Sequence, residues 1–179
     1  MGLKDIDFVQ NYSLSDFLPL IGVFSAVILA TAVLTVFKAA FAWISIAQTF
    51  MGFLFLALGG LKAYNLNGFA NAYQNYDLVA KKSRLYAKIY PFLELGLGAS
   101  YVLSPILLSS GTSILLWTNA FTAILMTVGA AGVFNELRKE NRIPCACLGD
   151  VFHVPMTGVT LLEDLLMAVM ALTMIFVII

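Results

Sequence analysis

Residues 17–37, FLPLIGVFSAVILATAVLTVF, form a run of 21 residues without a single charged side chain. A helix needs about 20 apolar residues to cross a bilayer core about 30 Å thick. Pro19 falls in the first turn of such a helix, where a missing backbone N–H costs little. The run therefore predicts a membrane-spanning helix.

The composition of the whole chain agrees with this reading. Of its 179 residues, 61% are hydrophobic and 11% are charged, and the mean hydropathy is +0.93. Soluble proteins are about 45–50% apolar and about 25% charged. The formal net charge of zero gives no basis for nucleic-acid binding. We therefore expect an all-α, polytopic helix bundle in a lipid bilayer, built as a single membrane domain over residues 1–179.

Five segments are long and apolar enough to be membrane spans. The predicted spans cover residues 17–37, 40–61, 89–108, 113–134 and 159–179. The polar segment 62–88 carries tyrosine and phenylalanine at roughly helical spacing, which predicts an amphipathic stretch at the membrane surface. Residues 135–158, here called the cysteine loop, connect the last two spans.

The basic residues of the loops predict an orientation. With five spans, the N-terminus, segment 62–88 and the cysteine loop share one side of the membrane. They hold nine of the ten lysines and arginines, and the other side holds only Lys38. Because positive loops stay in the cytoplasm, we expect an inner-membrane protein with a cytoplasmic N-terminus and cysteine loop and an external C-terminus.

Three carboxylates fall within predicted spans, where ionisable groups are costly and point to function. Glu94 needs a partner, for which Lys88, Arg142 or the cysteine loop are candidates. Glu163 and Asp164 lie near the start of the fifth span. Thr160 and Glu163 also fit a capping box, which explains Glu163 as well as a functional role does. The remaining polar residues in spans, such as Gln48 and Asn119, predict interhelical hydrogen bonds.

The cysteine loop holds both cysteines, within RIPCACLGDVFHVPMTG at 142–158. Pro144 favours an extended backbone before it, and side chains at i and i+2 of an extended segment point the same way. Cys145 and Cys147 could therefore form a reducible disulfide. They could equally bind a soft metal ion, with His153 and Met156 as further ligands.

Two stretches resemble the MauE/DoxX group of redox-associated membrane proteins. They are GFANAYQNYDLVAKKSRLYAKIYPFLELGLGASYVL at 68–103 and IPCACLGDVFHVPMTGVTLLEDLLMAVMAL at 143–172. The resemblance covers roughly residues 45–178. Its specific parts are Tyr76-Asp77, the run from Tyr90 to Glu94, the turn from Cys145 to Gly149, and Glu163-Asp164.

The resemblance implies four core helices with one extra helix in front. It also implies that Cys145 and Cys147 are the redox or metal residues. Their polar surround would be Glu94, Glu163, Asp164, Tyr76 and Asp77. Relatives in this group are linked to quinones, to methylamine utilisation and to maturation of a disulfide-rich enzyme subunit with a thioredoxin-like partner.

Three functional hypotheses follow. In the first, Cys145 and Cys147 cycle between dithiol and disulfide, exchanging with a thioredoxin-like protein. In the second, the cysteine loop binds or transports a soft metal such as copper, zinc or mercury. In the third, the chain is an accessory subunit of a larger membrane complex. The cofactor that these hypotheses imply is a quinone or a soft metal ion.

Overall fold

The computed structural model describes residues 17–38, 42–104, 111–139, 144–146, 148, 154–155 and 158–178. Within these ranges the chain is a helical bundle with one short antiparallel ladder, which confirms the predicted fold class. The helices are α1 (Leu18–Lys38), α2 (Trp43–Tyr64), α3 (Leu66–Tyr73), α4 (Arg84–Leu103), α5 (Gly111–Leu137) and α6 (Gly158–Ile178). The strands are β1 (Pro144–Cys145) and β2 (Val154–Pro155).

Helices α2 and α4 lie antiparallel in close contact, and glycines make this approach possible. A Cβ atom added at Gly98 would lie 2.9 Å from the Gly52 carbonyl oxygen and 2.9 Å from the Leu56 backbone nitrogen. One at Gly59 would lie 3.1 Å from the Pro91 carbonyl oxygen. This is the small-residue packing expected of membrane helices, where lipid gives no hydrophobic force for association.

Polar residues add hydrogen bonds between the helices, as predicted for Gln48 and Asn119. The Gln48 side-chain amide donates to the Tyr101 carbonyl oxygen at 2.9 Å and also to the Ser104 hydroxyl. The Tyr101 hydroxyl donates to Asn119 Oδ1 at 2.7 Å, which joins α4 to α5. All four residues are buried, so these bonds satisfy polar groups that would otherwise destabilise the bundle.

The predicted surface segment divides into helix, turn and helix. Asn65 caps α3 by accepting a hydrogen bond from the Gly68 N–H at 3.1 Å, and Ser83 caps α4 through the Tyr86 N–H at 3.2 Å. Helix α3 is amphipathic and buries Phe69 and Tyr73. Because of the Ser83 cap, α4 begins five residues before the predicted third span.

Among the described residues, four helices are long and apolar enough to cross a membrane: α1, α2, α5 and α6. The chain is therefore a multi-pass membrane protein. The predicted span 89–108 overlaps α4, which is not one of the four, because Lys88, Glu94 and several tyrosines make it more polar. Residues 105–108 of that span lie outside the described residues. The five-span count and the orientation built on it therefore stay predictions.

Gly98 and Gly96 offer a matched test of the α2–α4 contact. Alanine in a helix interior is normally favoured over glycine by about 1 kcal/mol. At Gly98 the added methyl meets backbone atoms of α2, and overpacking of this kind costs about 1–3 kcal/mol. At Gly96 it meets nothing within 4 Å. Thermal unfolding of purified protein in detergent should show a lower Tm for Gly98→Ala and an equal or higher Tm for Gly96→Ala. Equal Tm values for the two variants would contradict the close contact.

Candidate functional site

A buried ion pair lies where the end of α2 meets the middle of α4. Lys62 Nζ is 2.5 Å from Glu94 Oε1, and the two side chains are 8% and 2% exposed. The ammonium group also lies over the Tyr90 ring at 5.2 Å and the Phe69 ring at 5.9 Å. A cation held between a carboxylate and aromatic faces keeps its charge out of contact with lipid. The partner of Glu94 is thus Lys62, rather than one of the candidates that the sequence suggested.

Aromatic rings close the site on the side of α3. The Tyr73 ring centre is 4.6 Å from that of Tyr90, 5.0 Å from that of Phe69 and 5.4 Å from that of Tyr76. Desolvation by burial raises the pKa of Tyr73 and of Tyr76 well above that of a free phenol, and the Asp77 carboxylate adds to both shifts. Both hydroxyls therefore keep their protons at neutral pH and can act as donors.

Asp77 holds the turn that follows α3. Its Oδ1 accepts hydrogen bonds from the Val79 N–H at 2.9 Å and the Ala80 N–H at 2.7 Å, and its Oδ2 accepts the Tyr73 hydroxyl at 3.0 Å. This turn packs on Gly132 of α5, where an added Cβ would lie 3.2 Å from the Asp77 Cα. The Tyr76-Asp77 motif therefore fixes the aromatic residues against the bundle.

A polar cavity of about 30 Å³ lies between these groups and α6. This volume suits one or two water molecules. The charged residues that line it are Lys62, Glu94, Glu163 and Asp164, and its other walls include Tyr73, Tyr76, Tyr90, Met126, Gly129 and Thr160. Three carboxyl groups thus face one lysine. The three acids that the sequence singled out do come together at one place.

Two of the carboxyl oxygens are buried without a hydrogen-bond partner among the described residues. They are Glu94 Oε2 and Glu163 Oε2. An unpaired buried carboxylate oxygen is costly, so such atoms need an explanation. Thr160 is the third residue of α6 rather than the residue before it, so the capping box expected for Thr160 and Glu163 is wrong. The Glu163 carboxyl instead reaches the cavity.

Cys145 lies beside this cavity. In the β ladder Cys145 pairs with Val154 and Pro144 pairs with Pro155, so the backbone is extended at Pro144 and Cys145. Residues 143 and 147 of the predicted extended segment lie outside the described residues. The Thr160 hydroxyl donates to Cys145 Sγ at 3.6 Å. Cys145 is 3% exposed, and it is not a free thiol. The sulfur is therefore held next to the first turn of α6.

The other residues expected at the cysteine site, Cys147, His153 and Met156, lie outside the described residues. Over the part of the chain that the structure describes, no group of three histidine, cysteine or acidic side chains could hold a metal ion. The soft-metal hypothesis therefore stays a prediction.

Sequence reasoning missed Lys62 and assigned a different role to Thr160. Lys62 directly follows the apolar run 40–61, so the charge distribution assigns it to the loop that follows. The sequence did contain a signal for this pairing. If the second and third predicted spans are antiparallel neighbours, Lys62 and Glu94 lie near the same end of the pair. Thr160 carried no signal for a contact with sulfur, because that contact depends on the path of the cysteine loop.

The fold and the site together define a multi-pass helical membrane protein with a buried charged cavity beneath a cysteine-bearing loop. The family model described as methylamine utilisation protein MauE matches residues 38–177. The chain belongs to this family. It is 24% identical over 126 residues to the methylamine utilization protein MauE of Paracoccus denitrificans, an alignment that covers 70% of this chain and 64% of that protein. No solved structure matches the chain.

The Lys62–Glu94 pair can be tested by removing one charge or both. Lys62→Met leaves the Glu94 charge buried and unpaired, and breaking a buried pair in this way costs about 3–5 kcal/mol. The double change Lys62→Met with Glu94→Met should recover most of the loss. Thermal unfolding in detergent measures both variants. Lys88→Met serves as the control, because Lys88 forms no ion pair within the described ranges. A single variant as stable as the double variant would contradict a coupled pair.

The Asp77 turn can be tested by proteolysis, because Lys81, Lys82 and Arg84 lie next to it. Asp77→Ala removes a capping carboxylate and should destabilise the turn locally by about 1–2 kcal/mol. Cleavage from an opened state follows its population, so trypsin should cut there about tenfold faster. Asn75→Ala is the control, since the exposed Asn75 side chain bonds the Asn71 carbonyl oxygen and, among the described residues, nothing else. Equal cleavage of both variants would show that Asp77 does not hold the segment.

Proposed function

We propose that this chain is a membrane thiol–disulfide protein, in which Cys145 and Cys147 exchange a disulfide with a thioredoxin-like partner. The observation that carries the proposal is the position of Cys145: a buried sulfur that is not free and that accepts a hydrogen bond from Thr160 beside a charged cavity. Membership of the MauE family supports a role in methylamine utilisation, and we include that role in the proposal.

The exchange would follow ordinary disulfide chemistry. A thiolate of the partner attacks one sulfur of a Cys145–Cys147 disulfide, and that bond breaks as a mixed disulfide forms. The second thiol of the partner then displaces the chain, which leaves with both cysteines reduced. Two electrons pass from the partner dithiol to the chain, and the partner becomes a disulfide. The reverse sequence oxidises the chain.

The orientation bears on which partner is available. The distribution of basic residues supports a cytoplasmic cysteine loop, where thiols are kept reduced, provided that α4 crosses the membrane beside α2. In that arrangement the chain would receive electrons from a cytoplasmic thioredoxin-like dithiol. A four-span arrangement would turn the loop outward, towards exported substrates.

Trapping a mixed disulfide tests the proposal. Purified oxidised protein is mixed with a thioredoxin whose resolving cysteine is replaced by serine, so that the mixed disulfide persists. The wild-type chain should accumulate the cross-linked species, and Cys145→Ser and Cys147→Ser should not. Thr173→Ser is a control, since Thr173 is exposed on α6. Cross-linking that persists in Cys145→Ser would contradict the proposal. Stoichiometric copper or zinc that is lost in the double Cys→Ser variant would support the soft-metal hypothesis instead.

A further inference from the structure

Thr160 touches both parts of the site. Its hydroxyl donates to Cys145 Sγ at 3.6 Å, and the residue also lines the polar cavity. Glu163 follows it by three positions on α6, so both side chains lie on the same face of the helix. The thiol–disulfide chemistry proposed above uses only the sulfurs. It leaves the cavity and its carboxyl groups without a role.

We propose that Glu163 is the proton shuttle for the sulfur of Cys145, with the Thr160 hydroxyl passing the proton between them. This inference rests on the proposed thiol–disulfide function. It assigns to Glu163 a task beyond forming part of a polar surround.

The geometry favours Glu163 over the other acids of the cavity. Glu163 is 9% exposed, and its Oε2 has no hydrogen-bond partner among the described residues. Glu94 is already bound to Lys62. Asp164 faces α5, where its Oδ2 lies 3.3 Å from the position of a Cβ added at Gly129. A cavity with room for one or two water molecules can join Glu163 to Thr160.

The charges around Glu163 also suit a group that exchanges a proton. The titratable groups that share its cavity are Lys62 from α2, Tyr73 and Tyr76 from α3 and its turn, Tyr90 and Glu94 from α4, and Asp164 from α6. Helix α1 has no ionisable residue between Leu18 and Phe37, and the walls from α5 are Met126, Gly129 and Val133. One lysine cannot neutralise three carboxylates. Within a membrane protein an uncompensated charge is expensive, so a carboxyl group in this set is suited to exchanging a proton with its neighbours.

When the partner thiolate attacks Cys147, the disulfide bond breaks and its electron pair remains on the sulfur of Cys145. In one concerted transfer, that thiolate takes the proton of the Thr160 hydroxyl while Thr160 receives a proton from the Glu163 carboxyl through a water molecule of the cavity, so no alkoxide forms. Glu163 is left as a carboxylate and regains its proton from water. The second partner thiol then reduces the mixed disulfide, and its own proton goes to Cys147.

Exchange kinetics with reduced thioredoxin between pH 5 and pH 9 test the shuttle. The wild-type rate should fall on the alkaline side, where Glu163 loses its proton. Glu163→Gln should be slower by about 100-fold, the lower end of what general acid–base catalysis supplies, and should lack this alkaline fall. Thr160→Val should be equally slow, whereas Thr160→Ser keeps a hydroxyl and should stay near the wild-type rate. Asp164→Asn should retain the alkaline fall.

The outcomes separate this inference from the function on which it rests. If Cys145→Ser exchanges normally, the thiol function fails. If Cys145→Ser is inactive but Glu163→Gln keeps the wild-type rate and pH profile, the shuttle alone is overturned. If Glu163→Gln does not fold, as judged by thermal unfolding, the Thr160 pair decides, since equal rates for Thr160→Val and Thr160→Ser would overturn it. Loss of the alkaline fall in Asp164→Asn alone would also overturn the assignment to Glu163.

Discussion

The structure depends on the burial of the Lys62–Glu94 ion pair between α2 and α4. An isolated ammonium or carboxylate is costly in this environment, and the pair is tolerated because Lys62 and Glu94 face one another and aromatic rings surround the cation. The pair joins α2 to α4 along the same contact in which the glycines of the two helices meet. The aromatic rings of α3 and its turn lie on one side of the pair, and the polar cavity lies between the pair and α6. The groups of the site are thus arranged around a lysine that is kept out of lipid.

Much of the fold could be predicted from the sequence, because the length of an apolar run and the thickness of a bilayer define a membrane helix almost alone. The same reasoning identified Glu94, Glu163 and Asp164, since a carboxylate in an apolar run stands out against its neighbours. It was weaker for α4, where inward-facing polar residues dilute the apolar signal. Hydropathy averages over the whole circumference of a helix, so it cannot separate a polar face turned inward from one turned to water.

The parts that could not be predicted depend on contacts between distant segments. Lys62 at the end of an apolar run looks like an ordinary interfacial cation, and only the crossing of α2 with α4 makes it a buried partner. The spacing of Thr160 and Glu163 is compatible with a cap and equally with two residues on one helix face. The path of the loop decides between these, because it places Cys145 against Thr160. The local sequence pattern shows which residue types are present, whereas the tertiary fold determines which residues they contact.

The glycine contact between α2 and α4 has a mechanical consequence. With the Gly52 carbonyl oxygen so near Gly98, a larger side chain at Gly98 would force the two helices apart. Membranes differ in thickness, and helices usually adapt by tilting. We expect the closely packed α2 and α4 to tilt together. The larger adjustment is then expected at α1, the least buried of the candidate spans. Across an apolar groove of about 370 Å³, α1 faces the Glu163 turn of α6. A change in bilayer thickness would then alter the width of the groove beside Glu163 before it alters the α2–α4 contact.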